Sequence, residues 1–369
     1  MARKLYLLFM IMISGMLYAQ NVWNYSWKME QIPFQPPQTS SEMGIVKAGF
    51  DTDKDGKGEF LCAYTDMDSN YCLLYEANGD NNFELVWYFK YPVAANTYAG
   101  ITVGDLDGNG MDEIITTMPS VASAENPNPT RLWVFEWNGV VGENKYGVYT
   151  TTEPEANMSW DFLTAPNIDF RPYSLQVEDI DSDGQNELIV GIRQGGRGRE
   201  VIVIAVEGQV AGFGSWVTEY NLQGLTGGGM YNVTTGDLDG DGKKEIYAFV
   251  WNMFSLYIIE ATGPNTYELV NSLSQLYTTD YGALDAVRVT DVNNDGVNEM
   301  YIAATEPENA VFCITNVSDV SAITPADVKL VGHLPKQAGG KLRTLYVDDP
   351  DQDGLKDLMI GGEMSGRIF

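Results

Sequence analysis

The chain has 369 residues, with 51 Asp plus Glu against 22 Lys plus Arg and a net charge of −29. That excess of acid excludes non-specific nucleic-acid binding, which needs basic surface to neutralise phosphates. Apolar residues make up 44%, enough for a packed core, which excludes a disordered chain.

Residues 1–19 read as a secretory signal. Arg3 and Lys4 precede an apolar run from Leu5 to Leu17, and Ala19 offers a small residue for cleavage before Gln20. The run is short for a membrane span; a retained anchor is the alternative. No other long apolar segment follows, so the mature chain is expected to carry no membrane span and to be secreted or held at the cell surface. Residues 20–44 then hold a strand over Asn21–Phe34 and a linker broken by Pro33, Pro36 and Pro37.

From residue 45 onward a nine-residue acidic pattern recurs. It reads DTDKDGKGE at Asp51–Glu59, DLDGNGMDE at Asp105–Glu113 and DIDSDGQNE at Asp179–Glu187. It returns as DLDGDGKKE at Asp237–Glu245, DVNNDGVNE at Asp291–Glu299 and DPDQDGLKD at Asp349–Asp357. Successive first positions are 54, 74, 58, 54 and 58 residues apart, a period that marks a repeat architecture. Within each repeat a short strand leads into the loop and a second follows its final acid. A third and a fourth come after turns rich in Asn and Gly, with no sustained helical periodicity. Four strands per repeat and six repeats predict an all-β fold, a β-propeller of four-stranded blades over residues 45–369. The sixth repeat reaches Phe369 where its third strand is due to begin. The expectation is either a fragment of a longer protein or a sixth blade closed by the N-terminal strand.

The spacing suits a calcium loop. Side chains at positions 1, 3, 5 and 9 can converge on one point, position 7 can add a carbonyl, and Gly at 6 allows a sharp turn. The predicted ligands are Asp51, Asp53, Asp55 and Glu59; Asp105, Asp107, Asn109 and Glu113; and Asp179, Asp181, Asp183 and Glu187. The other three loops offer Asp237, Asp239, Asp241 and Glu245; Asp291, Asn293, Asp295 and Glu299; and Asp349, Asp351, Asp353 and Asp357. All are oxygen donors, which favours up to six Ca²⁺ over zinc or copper. These positions hold 22 carboxylates, and without them the chain would carry only −7. EF-hands fit poorly, because they need flanking helices and a Glu at position 12.

The pattern resembles the FG-GAP/VCBS repeat family, which includes the integrin α-chain propeller and many exported bacterial proteins. The resemblance spans about residues 45–369 and implies a propeller, seven-bladed if the chain is a fragment, with Ca²⁺ held in the loops between first and second strands. The Phe-Gly and Gly-Ala-Pro signatures are mostly missing, with weak echoes at Ala48-Gly49-Phe50 and Ala99-Gly100-Ile101, so the bacterial VCBS type is nearer.

Nothing singles out a catalytic residue. His333 is the only histidine and lies in an apolar stretch, which removes support for a Ser-His-Asp or Cys-His arrangement. Cys62 and Cys72 flank a turn centred near Met67 and are either a cross-strand disulfide or two buried thiols. The longest inserts, Ser120–Thr130 and Thr151–Pro172, are expected on the face opposite the loops, with Trp160, Phe162 and Phe170. Arg193, Arg197 and Arg199 form the one basic cluster of the mature chain, and Trp251 and Phe254 sit in another loop. Aromatics with arginine suit protein or carbohydrate recognition, so Trp160, Arg193, Arg197, Arg199 and Trp251 are the candidate ligand residues. The expected function is an exported binding or adhesion module. The alternative is a Ca²⁺-dependent polysaccharide lyase, suggested by fold analogy alone.

Overall fold

The computed structural model describes residues 42–65, 69–92, 99–119, 122–163, 166–251, 254–277, 282–335, 341–349 and 354–362. The predicted signal, the Asn21–Phe34 strand, Met67 and the ligand positions Asp351 and Asp353 lie outside the described residues.

Blade 1 holds β1 (Glu42–Phe50), β2 (Glu59–Thr65), β3 (Asn70–Gly79) and β4 (Asn82–Lys90). Blade 2 holds β5 (Gly100–Gly104), β6 (Glu113–Thr117), β7 (Leu132–Glu136) and β8 (Met158–Trp160). Blade 3 holds β9 (Phe170–Glu178), β10 (Glu187–Gly195), β11 (Arg199–Glu207) and β12 (Ser215–Leu225). Blade 4 holds β13 (Met230–Gly236), β14 (Glu245–Val250), β15 (Ser255–Gly263) and β16 (Thr266–Leu273). Blade 5 holds β17 (Ala283–Thr290), β18 (Glu299–Ala304), β19 (Asn309–Ile314) and β20 (Lys329–Leu334). A two-stranded sheet of β21 (Leu342–Asp348) and β22 (Asp357–Gly362) begins blade 6. In every sheet each strand pairs antiparallel with the next in sequence, giving the predicted β-propeller of four-stranded blades. Two single-turn 3₁₀ helices, at Val320–Ala322 and Pro325–Asp327, are the only helices among the described residues.

Burial explains why the second and third strands read as apolar runs. β6, β7 and β14 are buried at every residue, because each lies between two neighbouring blades. The rim strands β12 and β16 have polar residues facing out. Consecutive blades share one core each. Leu61, Ala63 and Leu74 of blade 1 pack with Ile114 and Phe135 of blade 2. Tyr247 and Phe249 of blade 4 pack with Met300, Ile302 and Phe312 of blade 5. The inner strands approach closely enough to exclude a side chain. A Cβ at Gly104, the last residue of β5, would lie 2.8 Å from Val177 of blade 3. One at Gly236, the matching residue of β13, would lie 2.7 Å from Val289 of blade 5.

One expectation needs correction, and one open alternative is decided. Thr151–Pro172 is not one insert: it contains β8 and reaches the start of β9, and Phe170 is a fully buried strand residue. A strand of three residues shows no period in sequence, so pairing with β7 is what reveals it. Of the two alternatives for Cys62 and Cys72 the structure shows the buried thiols, on opposite faces of the blade 1 sheet. Cys62 pairs with Leu73 and Cys72 with Ala63, and each thiol packs in a different core. Cys313 lies half-buried in β19, and His333 is exposed on β20, 3.4 Å from Glu308.

Replacing Gly236 with valine is expected to destabilise the protein by about 1–3 kcal/mol through overpacking, read as a lower urea midpoint. An unchanged midpoint would contradict the close approach of blades 4 and 5.

Candidate metal centres

Each acidic loop joins the first strand of a blade to the second, and position 9 is the first residue of that second strand. The loop is closed by a strand pair between position 9 and the residue before position 1, such as Phe50 with Glu59 or Gly236 with Glu245. The position 6 glycines take the left-handed conformation expected of them, with φ between 82° and 95°. Position 4 does so as well at Lys54, Gly108, Ser182, Gly240 and Asn294. These two reversals turn the backbone N–H groups inward onto carboxylates. The position 6 N–H donates to the position 1 carboxylate in all six loops, at 2.8–3.1 Å. The position 7 N–H donates to the position 5 side chain in loops 1 to 5, at 2.7–2.9 Å.

The position 9 acids are the buried members of the set. One oxygen of Glu59, Glu113, Glu187, Glu245 and Glu299 accepts the position 2 N–H, at 2.6–3.1 Å. In Glu59, Glu113, Glu187 and Glu245 the other oxygen is buried with no hydrogen-bond partner. A buried carboxylate oxygen left unpaired is costly. Burial accordingly pushes these carboxyls up, Glu59 and Glu245 to about 7, Glu187 to about 8 and Glu113 to about 9. Four clusters each bring a position 1 and a position 3 carboxylate together with others of their loop, with the nearest oxygens within 4.8 Å of one another. They are Asp51, Asp53 and Asp55; Asp105, Asp107 and Glu113; Asp179, Asp181 and Glu187; and Asp237, Asp239, Asp241 and Glu245. A further one joins Asp53 and Glu59 to Glu76 of β3. Loop 5 departs from the pattern. Its position 3 residue is Asn293, whose amide donates to the free oxygen of Glu299 at 2.8 Å.

The loops also join the blades. The second oxygen of the position 3 acid takes a donor from the third-to-fourth-strand connection of the following blade. Asp53 accepts from Asn144 Nδ2 at 3.1 Å, Asp107 from Val210 N at 2.6 Å, and Asp239 from Val320 N at 3.1 Å. Asp181 accepts from Asn265 N. Position 8 reaches back the other way. Asn186, Asn298 and Lys356 donate to the position 1 carbonyls of Asp105, Asp237 and Asp291 at 2.6–2.7 Å.

At the other ends of the strands, two of the five candidate ligand residues converge. The Arg193 guanidinium lies 4.7 Å from the ring centroid of Tyr231 and donates to its hydroxyl at 2.9 Å. Tyr231 packs edge-on against Trp251, with centroids 6.1 Å apart. The ammonium of Lys341 stands 4.6 Å over the Trp251 ring. Glycines make the room: a Cβ at Gly282 would lie 1.6 Å from Trp251 Nε1, and one at Gly229 2.7 Å from the Tyr231 ring. Sequence reasoning missed Tyr231 and Lys341. Tyr231 stands six residues before its loop, as Tyr173 does in blade 3, and aligning the repeats on their loops would have found both.

The other three candidates have structural partners. Arg197 pairs with buried Glu200 through two 2.9 Å bonds, because that carboxylate needs neutralising. Arg199 donates to the Gly228 carbonyl. Trp160 stacks on Trp216 at 5.7 Å and packs on Phe162 at 4.8 Å, joining the rims of blades 2 and 3.

Four-stranded blades, each with an acidic loop between its first two strands, define a repeat propeller whose loops are able to hold metal ions. The family model described as FG-GAP-like repeat matches residues 51–116 and 179–248, so these two stretches of the propeller carry FG-GAP-like repeats. No curated protein matches the sequence. Among solved structures, a Bacillus licheniformis rhamnogalacturonan lyase aligns at 14% identity with a TM-score of 0.47, over 89% of this chain and 56% of that one. The exotype rhamnogalacturonan lyase YesX aligns at 14% identity and a TM-score of 0.44, over 89% of this chain and 54% of that one. The chain spans little more than half the length of these two structures.

The raised carboxyls set the pH dependence of the metal-free protein. A carboxyl whose pKa is raised by folding stabilises below its unfolded value, and that contribution is lost as pH climbs through the folded value. For the four position 9 acids the window runs from the ordinary Glu range up through about 7 to 9. Thermal melts in chelator are therefore expected to show a higher midpoint at about pH 5.5 than at about pH 8.5. The opposite order would mean that these carboxylates are not buried unpaired.

Proposed function

We propose that the protein is an exported, calcium-stabilised propeller that serves as a binding module for a glycan or a protein, engaged on the face opposite the acidic loops. The observation that carries the reading is the difference between the two faces. One presents buried carboxylate oxygens with no donor, and the other presents cations over aromatic rings.

The donor set supports calcium. It is all oxygen, and Ca²⁺ takes about six to eight oxygen ligands in flexible geometry, whereas Mg²⁺ usually keeps several waters. Positions 1, 3, 5 and 9 would hold the ion, with the position 7 carbonyl. The ion would neutralise the acids that otherwise repel one another. Weak repeated sites suit the roughly millimolar calcium outside cells, and the predicted signal at residues 1–19 agrees with export. On the other face, a rigid aromatic pair flanked by Arg193 and Lys341 combines a stacking surface with cationic donors, which suits a sugar ring or an acidic protein segment.

Each filled site is expected to stabilise by about 1.4 kcal/mol at ten times its Kd, so chelator should lower the melting midpoint markedly. A melt indifferent to chelator would sink the calcium reading. Screening immobilised glycans and candidate proteins, with Trp251→Ala as control, tests the binding half. Loss of that indole is expected to weaken binding by about tenfold or more. Binding that survives Trp251→Ala would place the ligand elsewhere, and chain cleavage of a polysaccharide would replace the binding reading with an enzymatic one.

A further inference from the structure

The residue facing each position 9 acid across the sheet differs between blades, and it varies together with the loop. Pairing of second and third strands sets Glu76 opposite Glu59, Glu136 opposite Glu113 and Glu260 opposite Glu245. The same register carries Ala205 opposite Glu187 and Thr315 opposite Glu299. Three blades therefore present an additional acid, and they treat it in two ways.

In loops 1 and 4 a lysine at position 7 cancels it. Lys57 Nζ lies 2.7 Å from Glu76 and 2.6 Å from Asp55, and Lys243 Nζ lies 3.3 Å from Glu260 and 3.6 Å from Asp241. Glu76 comes within reach of Asp53 and Glu59, but both its oxygens are occupied, one by Lys57 and the other by Asn144 at 2.8 Å. Loop 2 has no such lysine, since position 7 is Met111, and its position 5 is Asn109 where loops 1, 3, 4 and 5 have Asp. Glu136 is 3% exposed. One of its oxygens accepts from Asn109 Nδ2 at 3.0 Å; the other is buried and makes no well-formed hydrogen bond, although the Ala211 N–H of blade 3 approaches the carboxylate. Counting positions 1, 3, 5, 7 and 9 and the facing residue, loops 1 to 4 all carry −4 by three different routes. Loop 5, with Asn293 and Thr315, carries −3.

We propose that Glu136 is a further ligand of the ion held by loop 2, supplying the carboxylate that Asn109 lacks. Glu76 and Glu260 are held by lysine and are not ligands. The assignment rests on the calcium reading above. It makes loop 2 the one site among loops 1 to 5 completed by a side chain from the third strand, which lies 31 residues beyond the start of its loop. A neutral amide at position 5 still offers its carbonyl oxygen to a hard cation, but not the charge. The buried Glu136 carboxylate restores that charge from across the sheet.

The test is calcium uptake by the full chain, measured by calorimetry and by equilibrium dialysis at limiting free calcium. Four chains are compared: wild type, Glu136→Gln, Glu76→Gln, and Glu136→Gln combined with Asn109→Asp. Glu136→Gln is expected to weaken one site by about 10–100-fold and to leave the remaining sites as they are. Glu76→Gln is expected to retain every ion. Restoring an acid at position 5 in the double variant is expected to bring the lost ion back, a rescue that a merely structural Glu136–Asn109 bond would not give. Should Glu136→Gln fail to fold, Asn109→Asp alone reads the same site and is expected to tighten it. Wild-type uptake with an unaltered Glu136→Gln, no rescue in the double variant, or no tightening in Asn109→Asp would overturn the assignment. Equal loss in Glu76→Gln would overturn the distinction between the blades. A wild-type chain that takes up no calcium would overturn the parent reading itself.

Discussion

Every second strand from β2 to β18 begins with a buried carboxylate, and the fold depends on how that charge is met. The position is dictated by geometry. A strand that starts at the acid pairs back onto the residue before position 1, which closes the loop and puts the side chain at its base. One oxygen is used locally, on the position 2 N–H. In four blades the second oxygen stays in the loop with no donor. Burying such a charge unpaired costs several kcal/mol, so the site must take up a proton or a cation. Blade 5 meets the demand differently, with the amide of Asn293.

The loops matter beyond their own blades because their remaining hydrogen-bonding groups are committed to neighbours. Position 3 carboxylates hold connections of the following blade, and position 8 side chains hold the carbonyls of the preceding one. Four apolar cores run the same way, each shared by two consecutive blades, as expected of a repeat architecture. The other face of blade 1 packs among its own strands, around Cys62, Tyr64 and Leu73. Charge neutralisation in a loop and packing between blades therefore act on the same contacts.

The division between the two faces follows from strand direction. Antiparallel strands put every first-to-second-strand turn at one end and every second-to-third-strand turn at the other. Acids required by the loops gather at the first end. Arg193, Trp251 and Lys341, together with Tyr231 near the start of β13, gather at the second. There glycines at 229 and 282 admit the aromatic rings. One end is constrained by the chemistry of the acid cluster, and the other is left to vary in loop length and side chain.

The sequence alone determined the repeat, the four-strand order and the acidic positions. Each of these is a local pattern with a short physical cause: alternation of burial along strands, left-handed glycine at position 6, and alternate acids on a curled loop. Only tertiary structure decided which residues from elsewhere complete those patterns. Glu76, Glu136 and Glu260 lie at different distances from their loops because the second-to-third-strand connections differ in length, and only strand pairing brings them opposite position 9. The same holds for Trp160 and Arg197. Residue type suggested ligand contact, and the structure adds what the sequence did not show, that Trp160 packs on Trp216 and Arg197 pairs with the buried Glu200. A side chain's chemistry is written in the sequence, whereas its partner is set by which strands lie side by side.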